Sequence, residues 1–184
     1  MGSSARYDMG NAADTLVSKN PTRIAQLKGP VLAYLRAISR SLPFNGTDQD
    51  IYLSVFYPAY RRKSASAQFP ANVRNSNPGI NTPADYISRV NKQKLNVLLS
   101  PQEWTALKDT ANTLNIAWEP LYKMINFESA WNPKARNPVS GARGLIQFIP
   151  STAKGMGYNA SIGMGTILLL LGAGYFTVKK LRLL

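Results

Sequence analysis

From Gly155 to Val178 the chain carries no charged residue, and this stretch includes the run Thr166-Ile-Leu-Leu-Leu-Leu171. No other feature limits the architecture as strongly. The eighteen residues from Ser161 to Val178 would span roughly 27 Å as a helix, close to the hydrocarbon thickness of a bilayer. Lys179, Lys180 and Arg182 follow as interfacial anchors. A helix buried in a protein core is the other reading, but core helices are amphipathic and this segment is apolar on every side. The expectation is a transmembrane helix with a short basic tail over residues 158–184. Its glycines at 163, 165, 172 and 174 form no GxxxG pair, so glycine-driven dimerisation is not expected.

The remainder must then fold without that segment. Residues 1–20 are small and polar, with no basic-then-apolar secretory pattern, and read as a flexible or partner-ordered tail. Met1-Gly2 resembles a myristoylation start, but Arg6 stands where Ser or Thr is required. Residues 21–157 are enough for one domain with a real core. Ile24, Leu27, Val31, Leu32, Leu35, Ile38 and Leu42 recur at helical spacing, with a break or a start at Gly29-Pro30. Ile51, Val55, Phe56 and Ala59 trace a second helical face after Thr47. An Asn/Pro/Gly-rich loop at 75–79 leads to a helix capped by Thr82, and further helices start at Ser100 and near Pro120. The glycine-broken stretch Gly141–Phe148 predicts extended structure or a small hairpin. The fold class is therefore α-dominated with little sheet.

The net charge is +13; without Lys179, Lys180 and Arg182 there remain 19 Lys and Arg against nine acids, about +10. Such a field favours polyanions: a cell envelope, anionic lipid or nucleic acid. Arg61-Arg62-Lys63, beside Tyr57 and Tyr60, is a candidate nucleic-acid patch, but short basic runs are more often solvated faces, and nucleic acid is not the expected partner.

The chain has neither His nor Cys. Histidine triads, thiol nucleophiles, disulfides and Cys/His zinc sites are excluded, no metal or cofactor is expected, and acid/base chemistry falls to carboxylates, Lys or Tyr. Of three glutamates, Glu103 completes a capping box with Ser100, and Glu119 suits a helix N-terminus and the spacing to Lys123. Asp85 caps with Thr82, Asp48 and Asp50 crowd the helix start after Thr47, Asp8 and Asp14 belong to the tail, and Asp109 lies on a solvated face. Glu128 has no such local role. It follows Leu121 and Ile125 on the apolar face of a helix that must stop before Pro133. Desolvation and the negative helix end both raise its proton affinity, which suits a general acid. A surface ion pair with Arg136 or Arg143 is the alternative on spacing alone.

Glu128-Ser129, Asn132-Pro133, Gly141-Ala-Arg-Gly-Leu-Ile-Gln147 and Pro150-Ser-Thr-Ala153 together resemble the soluble lytic transglycosylase family, relatives of goose-type lysozyme. The resemblance implies a lysozyme-like domain, α+β with minimal sheet, and a peptidoglycan substrate. It implies that Glu128 is the catalytic acid and base, that Ser129 supports its carboxylate, and that Gly144, Leu145 and Gln147 line the sugar cleft. Trp131, Phe148 and Tyr57 are sugar-stacking candidates, or else core residues. Tyr52-Leu-Ser-Val-Phe-Tyr57-Pro-Ala59, Asn77-Pro-Gly-Ile80 and Asp85-Tyr86 resemble the segment that phage-encoded members carry after the glutamate half. Here it comes first, which implies circular permutation with a join near residues 92–94. Tyr57 would stand for the family's cleft tyrosine, and Pro58 replaces the asparagine common in cellular members.

The implied reaction cleaves the β-1,4 bond between N-acetylmuramic acid and N-acetylglucosamine and leaves a 1,6-anhydro end. Three cations after the span favour the cytoplasmic side, which places the domain outside with no evident export signal. A membrane-containing phage particle would resolve this. Glycan strands, lipid and other virion proteins are the expected partners, and a non-catalytic, glycan-binding or structural virion protein is the alternative.

Overall fold

The computed structural model describes residues 10–160; the expected transmembrane segment, 158–184, lies outside them from residue 161 onward. Among the described residues no helix is long and apolar enough to cross a membrane.

The first helix, α1 (Ala12–Lys19), starts where the tail was expected to continue. Asn11 accepts from the N–H groups of Ala13 and Asp14, and the Asp14 carboxylate accepts from the Asn11 N–H, a reciprocal cap that satisfies orphan donors. Ala12, Ala13 and Leu16 are buried against α9 (Pro150–Gly155). From Asn11 onward, therefore, residues of the expected tail are folded, because Leu16 and the two alanines give the helix an apolar face to bury.

Helices α2 (Arg23–Gln26) and α3 (Leu32–Ser41) are joined through a widened turn at Leu27–Val31. Gly29 leaves helical geometry there, at φ −100° and ψ −106°. Pro30 lacks an N–H and its ring displaces a carbonyl one turn back, so the helix bulges at this point without ending. Helix α4 (Asp48–Phe56), capped by Thr47, buries Ile51, Tyr52 and Leu53. The face expected from Ile51, Val55, Phe56 and Ala59 is thus rotated: Val55 and Phe56 are half-buried and Ala59 is exposed. Short α5 (Ala71–Ser76) leads to α6 (Pro83–Asn91), which carries the expected Thr82–Asp85 box. Helix α7 (Pro101–Leu114) carries the Ser100–Glu103 box and ends at Asn115, with φ 53°. Helix α8 (Trp118–Ser129) stops where Ala130 and Trp131 turn to φ 48° and 60°.

Helix α8 is the axis of the molecule, with α4, α6 and α7 packed on it. Leu121, Met124 and Ile125 are fully buried, each contributing about 1.5–3 kcal/mol. They share one core with Leu27, Leu35, Ile51, Leu53, Tyr86 and Leu107, so residues before and after 92–94 build a single interior. Gly141–Phe148 forms a tight hairpin turn in which Arg143 and Phe148 exchange backbone hydrogen bonds of 3.0 and 2.8 Å. Among the described residues the only pairings are isolated bridges from Arg143 to Arg136 and to Phe148.

Asp48 and Asp50 stand in the first turn of α4 as expected, but the Asp50 side chain turns into the interior. It is fully buried, accepting from Arg61 Nε at 2.7 Å and the Asn45 N–H at 2.7 Å, with Arg62 also paired to it. Burial alone would raise this carboxyl, but the Arg61, Arg62 and Asn45 donors outweigh it and hold the carboxyl below its usual range. Arg61 also lies over the Phe44 ring, 4.6 Å from its centroid. Two cations of the candidate nucleic-acid patch are thereby engaged in holding α4 to the loop after it.

Candidate active site

Glu128 lies on the last turn of α8, half-buried. Its Oε1 accepts a 2.6 Å hydrogen bond from the Tyr86 hydroxyl of α6. Tyr86 is fully buried, stacked on Phe56 of α4 with centroids 4.2 Å apart, and edge-on to Phe127 at 5.4 Å. The phenol is thus fixed before any ligand arrives. Burial raises the Glu128 carboxyl to about 7, despite the Tyr86 bond, which favours the anion. Burial and the neighbouring Glu128 raise the Tyr86 hydroxyl well above its ordinary value, so it stays a donor.

A cleft passes this carboxyl. Its central section, about 580 Å³, is lined by Phe56, Asn77, Phe127, Glu128, Ile146 and Gln147, among others. A section of about 350 Å³ continues from Phe56, Asn77 and Glu128 to Pro78, Tyr86 and Arg89. Another of about 300 Å³ continues from Phe56, Ile146 and Gln147 to Tyr34, Pro58 and Phe148. Glu128 is the only carboxylate among the residues lining the three sections. The long shape suits a chain-like ligand, and one carboxyl that titrates near neutrality can both give and take a proton.

Several other acids among the described residues are engaged away from the cleft. Asp14 pairs with Arg143, Glu103 with Arg23 and Asp109 with Lys28, while Asp85 caps α6. Because Arg143 is engaged by Asp14, and no ion pair to Glu128 forms among the described residues, the surface-pair alternative for Glu128 has no support.

Several residues singled out with Glu128 occupy other places. The Ser129 hydroxyl turns back to donate to the Ile125 carbonyl at 3.1 Å, leaving Tyr86 to hold the carboxylate. Gly144, at φ 77°, faces Gln26, whose Oε1 would stand 2.6 Å from an added Cβ. Leu145 is fully buried, and its N–H donates to Gln26 Oε1 at 2.9 Å. These two residues shape the wall from behind, while Ile146 and Gln147 face the cleft. Gln147, at φ 51°, donates from Nε2 to the Gly144 carbonyl at 3.0 Å. Phe148 is buried edge-on to Tyr34 at 5.9 Å and borders one end of the cleft. Tyr57 packs on Tyr60 and Phe69, at 5.1 and 5.9 Å, and its neighbours Phe56 and Pro58 line the cleft in its stead. Trp131 is fully buried against Tyr122, a core residue.

Tyr86, Asn77 and Gln26 are the site-building residues that local pattern missed. Gln26, fully buried, donates to the carbonyls of Asn20 (3.0 Å) and Pro133 (2.7 Å) and accepts from Leu145. It ties the α2 segment to the wall behind Glu128. Asn77 and Tyr86 lay in motifs noted upstream, but a contact 42 residues distant in sequence has no local signature.

Residues 105–168, from α7 through the hairpin and α9 and past the expected domain limit at 157, match the transglycosylase SLT domain, a family of peptidoglycan lytic transglycosylases. The chain is by this domain an enzyme, a peptidoglycan lytic transglycosylase whose substrate is the glycan strand. No curated protein and no solved structure matches the chain significantly.

Proposed function

We propose that Glu128 is the single acid and base of a water-independent cleavage between N-acetylmuramic acid and N-acetylglucosamine, in a circularly permuted domain. The observation that carries this reading is a half-buried carboxyl raised to about 7, alone in a cleft lined by no second carboxylate. Two-carboxylate hydrolysis needs a partner within about 5–10 Å. Glu128 gives its proton to the glycosidic oxygen as the C1–O bond breaks and its electrons pass to that oxygen. The 2-acetamido group stabilises the cationic C1. The muramyl 6-hydroxyl then attacks C1 and returns its proton to Glu128, closing the 1,6-anhydro ring and regenerating the acid. Tyr86 steadies the carboxylate between the two transfers.

The permutation is supported by where the ends lie. Helix α1 packs on α9, and Asn20 donates to the Tyr158 hydroxyl at 3.3 Å, so joining the ends of residues 10–160 needs little chain. The opposite junction, near 92–94, is exposed. Residues 158–184, uncharged as far as Val178 and then basic, support a single membrane span beside the enzyme domain. A virion membrane is the setting that reconciles this span with a substrate in the bacterial envelope. A peptidoglycan zymogram of the full chain and of Glu128→Gln tests the catalytic assignment: clearing by the wild type alone is expected, and equal clearing by both would defeat it.

A further inference from the structure

Arg89 is the only cation among the residues lining the three cleft sections, in a chain with a net charge of +13. It lies on α6 one turn after Tyr86 and borders the same section as Glu128 and Asn77. Its guanidinium is seated by two features. Nη2 donates to the Pro78 carbonyl at 2.9 Å, and Gly79, at φ 78°, has no Cβ to occupy the space, since one would stand 2.5 Å from Nη2. This bond occupies one of five N–H donors. Asp85, one turn back, attracts Arg89 electrostatically, but its carboxylate is engaged by the N–H groups of Asn81 and Thr82. Arg89 forms no ion pair among the described residues.

A forked cation held at the rim of a catalytic cleft matches a carboxylate. The sugars of the glycan strand are uncharged, and the negative groups sit on the muramyl 3-O substituent. They are the lactyl carboxylate where the strand is bare and stem-peptide carboxylates where it is substituted. We propose that Arg89 is a specificity-determining residue that binds the carboxylate of this substituent on the muramyl unit beside Glu128. The inference rests on the reading of Glu128 as the glycan-cleaving residue.

Binding is measured with the full chain carrying Glu128→Gln, so no turnover is required, on amidase-stripped glycan strands, soluble peptide-bearing strands and neutral N-acetylglucosamine oligomers. Adding Arg89→Gln weakens binding to a carboxylate-bearing strand about tenfold and leaves the neutral oligomer within about twofold. Arg89→Lys recovers part of the loss. In the active background KM rises by a similar factor while kcat changes little. Loss on stripped strands identifies the lactyl carboxylate, and loss confined to peptide-bearing strands identifies the stem. Equal loss on the neutral oligomer would overturn the proposal, making Arg89 only a support of the Pro78 turn, as would unchanged binding to all three. Absence of turnover by the wild type counts against the Glu128 reading, whereas the binding comparison stands apart from it.

Discussion

Replacing Tyr86 with Phe removes one oxygen from a buried, stacked ring and therefore isolates a single interaction, the 2.6 Å hydrogen bond to Glu128 Oε1. That bond favours the carboxylate anion, so its loss must raise the proton affinity of Glu128 further. A hydrogen bond to a charged group contributes about 1.5–3 kcal/mol, equivalent to about one to two pH units. Glu128 is half-buried beside an open cleft, so water entering the vacated position restores part of this, leaving a rise of about one unit. The free enzyme needs Glu128 protonated to start the reaction. Its kcat/KM should therefore fall as pH rises through about 7, and in Tyr86→Phe this alkaline limb should move up by about one unit. Soluble muropeptide release across the pH range, with thermal unfolding as a control for folding, measures it. A limb that stays in place, or moves to lower pH, would refute the pairing of Tyr86 with the catalytic carboxyl.

Gln26→Leu keeps the volume but leaves the carbonyls of Asn20 and Pro133 and the Leu145 N–H unpaired. It should destabilise by about 2–4 kcal/mol in denaturant melts and lower activity with Glu128 untouched. Asp50→Asn leaves buried Arg61 without its counter-charge, an expected loss of about 3–5 kcal/mol at pH 7. The folded Asp50 carboxyl is held below its unfolded value, so its contribution is present above about pH 4 and disappears as pH falls through the folded value. The gap between variant and wild-type denaturant midpoints should therefore narrow in acid. Residues 95–160 joined by a short linker to residues 10–92 should fold and clear peptidoglycan in a zymogram, whereas an unfolded product on circular dichroism would count against permutation.

What could be read from sequence was whatever local chemistry determines. The Ser100–Glu103 and Thr82–Asp85 boxes fell where expected, and accounting for those acids is what isolated Glu128. The turn at Gly141–Phe148 was legible from its glycines. The place of Asp50 in the first turn after Thr47 was legible, but its burial was not, because its partner Arg61 is supplied by a later turn. Helix α1 was overlooked because a two-turn helix has little periodicity, although Asn11 and Asp14 bear the cap that starts it. Tyr86 and Gln26 act on groups across the fold, where tertiary packing alone brings them together. The apolar segment that first divided the chain lies outside the described residues from residue 161 onward.

The central claim, one carboxyl cleaving glycan without water, is tested most directly by mass spectrometry of fragments released from purified peptidoglycan. Wild-type protein should release fragments ending in 1,6-anhydro-N-acetylmuramic acid, and Glu128→Gln should release essentially none. Reducing-end products would show that water is the nucleophile, and anhydro products from the variant would show that Glu128 is not the acid and base.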